Sequence, residues 1–177
     1  MGIDDIIARE TSAIKKDCKP GCAWCCNQLV VLTNAGDGEA ILELARKRTT
    51  PEEFQVITEK VREQSERIAE LPYQVAEEQS WPCPLLKDKK CLVYEARPVA
   101  CRTVFSPDNK CCKAMMQAND FSQLSEQHRR TAHEISERAL RLQLAINNSR
   151  PIDGAFELRS LLVSLLDAQA PGGIHSP

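Results

Sequence analysis

Nine cysteines set the chemistry this chain can do, and they fall into groups. Residues 18–26 read CKPGCAWCC, four thiols in nine residues with the last two adjacent. Cys83, Cys91, Cys101, Cys111 and Cys112 all lie in the irregular stretch 72–113. Cysteines used only as small hydrophobes would scatter along apolar faces, whereas clustering of this kind points to shared ligation. A zinc ion or an iron–sulfur cluster takes about four thiolates, usually from short knuckles distant in sequence, and the two groups supply them. The adjacent side chains of Cys25 and Cys26 diverge around one tetrahedral ion, so the pair argues for two metal positions. Four thiolates around a divalent ion leave a net negative site that neighbouring donors must offset. Arg97 and Arg102, flanking Cys101, are the residues expected to do so.

Composition narrows the setting. The 177 residues suit one domain with a real core, expected to span 1–169 with a mobile tail at 170–177. Lys plus Arg number 23 against 25 for Asp plus Glu, a formal charge of −2, so neither nucleic acid nor a membrane surface is indicated as a partner. A metal ion is the expected partner, with a protein partner left open. MGIDDIIARE lacks the basic and apolar regions of a leader, and no run approaches the roughly 18 apolar residues that span a bilayer. A cytoplasmic location is therefore expected, where thiols stay reduced and disulfides are disfavoured.

The elements that must position the cysteines are mostly helical. Residues 3–18 read as a helix stopped by Pro20, followed by a KPG turn and a short helix from Cys22 that aims Cys22, Cys25 and Cys26 the same way. Thr33 or Asn34 caps a helix around GEAILELARK, and TTPEEF caps the next. That helix carries Phe54, Ile57, Val61, Ile68 and Leu71 as a core stripe interrupted at Gln64 and Ser65. WPCPLLKDKKCLVYEARPVACR reads as two extended arms, Cys83–Leu86 and Cys91–Tyr94, joined by the turn KDKK, then a helical turn or two ending at Cys101. A long helix is expected over 121–147 and a last one over about 154–169. His128 and His133 receive no ligand role, because His128 falls on the apolar stripe of the long helix. The fold class is mainly α: a single domain of packed helices with an irregular, cysteine-rich centre and a short β-hairpin.

Two resemblances bear on function. CKPGCAWC resembles the cluster-binding loop of radical SAM enzymes, but that loop follows the first strand of a β/α barrel, and here a helix precedes it with no alternation of strands and helices behind. The pattern CKPGCAWCC, then CPLL, then CLVYEARPVACR is similar to the YkgJ-type cysteine-cluster family, a zinc- or iron-chelating domain, over residues 18–102. The resemblance implies that Cys18, Cys22, Cys25, Cys26, Cys83, Cys91 and Cys101 are metal ligands, with a further one downstream at Cys111. Cys112 is then surplus. Relatedness of that family to a flagellin lysine methylase implies methyl transfer as an alternative. The sequence itself shows no glycine-rich nucleotide loop, general base or triad. It therefore reads as an intracellular metal-binding protein holding zinc or iron, or an Fe–S cluster, as a structural or binding module. An Fe–S redox or methyl-transfer enzyme and a metal storage or delivery protein are the alternatives.

Overall fold

The computed structural model describes residues 3–10, 12, 16–18, 21–27, 30–77, 79–103, 106, 108–118 and 156–169. The expectations for 121–147, His128, His133 and the tail lie outside these residues. Two long helices start where their caps dictate. Asn34 caps α2 (Ala35–Arg48), its side-chain oxygen accepting from the Asp37 N–H at 2.9 Å. Thr50 opens α3 (Pro51–Ala69) with a capping box: the Glu53 N–H reaches Thr50 Oγ1 at 3.2 Å, and the Thr50 N–H reaches the Glu53 carboxylate at 3.3 Å. Pro51, which needs no donor in the first turn, completes the start.

The C-terminal helix, α7 (Leu158–Ala168), packs on both α2 and α3. Ile41, Leu42 and Ala45 of α2, Val61 of α3, and Leu158 and Leu162 of α7 meet in one buried cluster, joined by Val31, Leu85 and Val93 from the loops. Each of the valines, leucines and isoleucines there contributes about 1.5–3 kcal/mol by leaving water. The stripe on α3 behaves as its spacing predicts, with Phe54 and Ile57 against this cluster and Ile68 in a second one with Ala76 and Trp81. Helices α2 and α7 approach closely at Gly38, where a Cβ would lie 2.8 Å from side-chain carbons of both Leu161 and Leu165.

The interruption of the stripe has a purpose that the sequence did not reveal. Gln64 accepts from Arg159 Nε at 2.6 Å, and the Ser65 and Ser160 hydroxyls lie 3.1 Å apart. Arg159 is only 2% exposed. Its guanidinium also donates to Glu157 at 2.8 Å and to the Trp81 carbonyl at 3.1 Å, tying α7 to α3 and to the loop that leads to Cys83. Glu157 in turn caps α7 by accepting from the N–H groups of Arg159 and Ser160 at 2.7 and 3.1 Å.

Several boundaries differ from the sequence reading. Helix α1 runs Ile3–Glu10, and residues 16–18 are not helical. The Ser12 hydroxyl and N–H both turn back onto the Arg9 carbonyl, an alternative to continuing the helix. Residues 22–24 are likewise not helical, and only Cys25–Asn27 forms a turn of 3₁₀ helix. The last helix starts at Leu158 because β4 (Phe156–Glu157) pairs antiparallel with β1 (Leu32–Thr33). The hairpin is present but short: β2 (Leu86–Lys87) pairs with β3 (Lys90–Cys91), and Asp88 and Lys89 both turn with positive φ, 50° and 60°. Such a two-residue turn matches the right-handed twist of the strands. Beyond it lie a 3₁₀ turn at Tyr94–Ala96 and α5 (Val99–Thr103), with Cys101 in the middle of α5. Helix α4 (Tyr73–Glu77) follows α3, and α6 (Asn109–Ala118) carries the last two cysteines.

Two outcomes follow from this packing. Gly38→Ala should lower stability by about 1 kcal/mol, because displacing two leucines exceeds the roughly 1 kcal/mol that alanine adds to helix propensity; a raised melting temperature would contradict the close approach. Arg159→Met should cost about 3–5 kcal/mol in urea unfolding by stranding Glu157, Gln64 and the Trp81 carbonyl, and Arg159→Lys should recover little, since one ammonium cannot serve all three.

Candidate metal centre

Seven cysteines line one cavity of about 600 Å³. Cys18, Cys22, Cys25 and Cys26 approach from the N-terminal loop, and Cys83, Cys91 and Cys101 from the hairpin and α5. The two groups are joined at the backbone, where the Cys83 N–H donates to the Cys26 carbonyl at 2.7 Å. The Ser80 hydroxyl donates to the next carbonyl, that of Asn27, at 2.8 Å. Cys83, Cys91 and Cys101 also pack against the main apolar cluster, so the helical core fixes one wall of the cavity. Cys18 is exposed and the other six are half-buried, with the cavity supplying their access.

Burial raises most of these thiols. It pushes Cys101 up to about 12, helped by the neighbouring Cys83, Cys25 and Cys91, against the pull of Arg97. Burial also raises Cys83 and Cys91, each opposed by a hydrogen bond from the N–H two residues on, Leu85 and Val93. Those two bonds are of the kind that stabilise metal thiolates. Cys25 and Cys26 act as a pair: the hydrogen bond between their side chains lowers Cys25, the acceptor, and raises Cys26, the donor. Burial raises Cys18 too, against a hydrogen bond from the Ser106 N–H.

Cations are positioned to offset the charge. Arg97 lines the cavity, holds its guanidinium carbon 3.6 Å from the centre of the Tyr94 ring, and lowers Cys25, Cys91 and Cys101. Arg102 donates to the carbonyls of Arg97 and Glu95 at 2.6 and 2.9 Å, bracing the turn that presents Arg97. Arg159 lines the same cavity and lowers Cys83. Sequence reasoning missed it because position 159 lies 58 residues beyond Cys101, in a helix with no cysteine. Its one signal was an arginine in an otherwise leucine-rich stretch, ELRSLLVSLL.

The donor chemistry fits a thiophilic ion such as zinc or iron. No group of three or more His, Cys, Asp or Glu side chains among the described residues is drawn together tightly enough to hold an ion as it stands. The thiols are gathered around a cavity but not closed on a point. Cys112 is half-buried, hydrogen-bonded to Ser106, and feels the charges of Cys18, Cys22 and Cys25. The side chain of Cys111 lies outside the described residues.

The raised thiols predict the pH response of the metal-free protein. An unfolded cysteine loses its proton near 9.0, whereas folded Cys101 keeps its proton to about 12. The folded state then binds the extra proton, so the stabilising contribution is complete below about pH 9 and is lost as the pH climbs toward 12. Urea midpoints should fall across that window in metal-free protein, and Cys101→Val should flatten the fall; an equal slope in both would refute it.

No described helix is long and apolar enough to cross a membrane. No curated protein and no solved structure matches the chain. A family model does match, named CxxCxxCC and described as "Putative zinc- or iron-chelating domain", over residues 17–109, just over half of the 177 residues. That segment contains all seven cysteines of the cavity, and by this match the chain belongs to the CxxCxxCC family.

Proposed function

We propose that this protein binds zinc or iron through clustered cysteine thiolates at two positions, and that the metal serves as a structural clasp in a single domain spanning 1–169. The observation that carries the reading is that thiols from two distant segments, 18–26 and 83–101, line one cavity. Metal would be held by Cys18, Cys22, Cys25, Cys26, Cys83, Cys91 and Cys101, with Arg97 and Arg159 offsetting the charge of the thiolates. Bound metal supplies the cross-link between the N-terminal loop and the hairpin. The chain's own residues do the rest: the helices fix one wall, and the Leu85 and Val93 N–H groups orient two of the sulfurs.

One observation favours a second reading. A cavity of about 600 Å³ falls within the roughly 300–1,000 Å³ range of small-molecule sites. An iron–sulfur centre acting in redox or methyl-transfer chemistry would need such room beside the metal.

Metal analysis and the visible spectrum of anaerobically purified protein separate the two. Colourless protein with stoichiometric zinc supports the clasp, and a brown protein absorbing near 400 nm supports an iron–sulfur centre. For the clasp, chelation should speed amide hydrogen exchange in residues 79–103 while α2 and α3 stay protected, because ligation free energy on the order of 10 kcal/mol is available only to the folded site. Unchanged exchange in 79–103 after full metal removal would eliminate the structural role.

A further inference from the structure

The fixed charges on the cavity wall have one sign. No Asp or Glu is among the described residues that line it, whereas Lys89, Lys90, Arg97 and Arg159 are. Arg159 is engaged inside the fold by Gln64, Glu157 and the Trp81 carbonyl. Lys89 and Lys90 differ from it. Both are exposed, and neither side chain makes a hydrogen bond or ion pair with a described residue. Cations just outside the wall are paired instead, Lys87 with Glu53 at 2.5 Å and Arg48 with Glu95 at 2.8 Å. The turn between β2 and β3 fixes where the two lysines stand: Lys90 pairs with Lys87 across the hairpin, while Asp88 and Lys89 take positive φ. Asp88 is not part of the wall. Arg97 completes the group. Its Nε donates to the Tyr94 carbonyl at 3.0 Å and its guanidinium stacks on the Tyr94 ring, which leaves both terminal nitrogens without an acceptor among the described residues. A guanidinium with those nitrogens free matches a carboxylate.

We infer, on the basis of the metal-binding reading above, that the cavity receives its metal as the anionic complex of a small polycarboxylate, whose outer carboxylates are taken by Lys89, Lys90 and Arg97. A bare divalent cation meets repulsion from these three groups and no carboxylate to attract it, whereas an anion is drawn in. The room fits the larger guest. About 600 Å³ far exceeds the volume of an ion, and Val31, Leu85 and Val93 give the same cavity apolar wall for a carbon skeleton. Carboxylate oxygens suit zinc and iron less well than thiolates do, so exchange runs toward sulfur. Metal–oxygen bonds break as metal–sulfur bonds form. Each coordinating thiol passes its proton to the departing polycarboxylate or to solvent, and no oxidation state changes.

The test follows transfer of Co²⁺ to the metal-free full chain by the thiolate charge-transfer absorption, once from the aqua ion and once from its citrate complex, which carries net negative charge. In wild type, added salt should slow transfer from citrate and speed it from the aqua ion, because screening weakens both the attraction and the repulsion. Lys89→Gln/Lys90→Gln, a change confined to exposed side chains of the hairpin, should slow transfer from citrate about tenfold and quicken it from the aqua ion. Lys89→Arg/Lys90→Arg keeps the charge and should keep the wild-type rates. Equal rates from citrate in wild type and the Gln variant overturn the inference, and so does a wild-type rate from citrate that salt leaves unchanged, a result that needs no variant to fold. Inorganic phosphate that inhibits as strongly as metal-free citrate overturns the polycarboxylate assignment. Cobalt absorption that develops from the aqua ion but never from citrate refutes this route alone, whereas its absence from both sources refutes the metal-binding reading itself.

Discussion

A guanidinium shut away from water persists only if its donors find acceptors, and in this protein that demand organises the architecture around Arg159, which is 2% exposed. Three acceptors answer it from three parts of the chain: Gln64 in α3, Glu157 at the cap of α7, and the carbonyl of Trp81 two residues before Cys83. Leaving any of these buried groups unpaired would cost more than the net worth of the hydrogen bond. The loop at Trp81 is therefore tied to the helices, and Cys83 lies two residues on, in the cavity wall. Trp81 is itself anchored, its indole N–H donating to the Ala76 carbonyl at 2.7 Å with its ring among Ile68 and Ala76. The Cys83 N–H then holds the N-terminal loop through Cys26. A chain of polar contacts thus runs from the helical core to the thiols.

Much of this was legible in the sequence because it rests on local rules. The caps at Asn34 and Thr50 are set by side chains within three residues of the groups they bond, and the stripe on α3 follows from helical spacing alone. The hairpin was legible because KDKK separates two arms that each carry a cysteine, although its pairing extends over only two residues on each side. The seven cysteines were readable as one set from clustering and family pattern, and they line a common cavity.

What escaped was non-local. The apolar face along 3–18 promised a helix as far as Cys18, but Ser12 turned the backbone onto Arg9, and Asp17 and Cys18 instead bond to Ser106 and the start of α6. The pairing of β1 with β4 joins residues more than a hundred positions apart, and no sequence window contains both. Gln64 and Ser65 looked like a flaw in an apolar face because their partners, Arg159 and Ser160, belong to a distant helix. The role of Arg159 was hidden for the same reason: an arginine in a helix is ordinarily a solvated one, and only the packing of α7 shows otherwise.

The cavity wall has a consequence for the entropic cost of bringing the thiols together. In an unfolded chain, an ion bridging Cys26 and Cys83 must first close the whole intervening loop, an entropic barrier that grows with loop length. Here that loop contains α2 and α3, whose caps and apolar contacts to α7 involve no thiol, and the backbone bond between Cys26 and Cys83 has already brought its ends together. The helices α2 and α3 therefore take up most of the span between the two thiol groups, and the entropic cost of joining them falls on the short loops at either end rather than on the whole intervening chain.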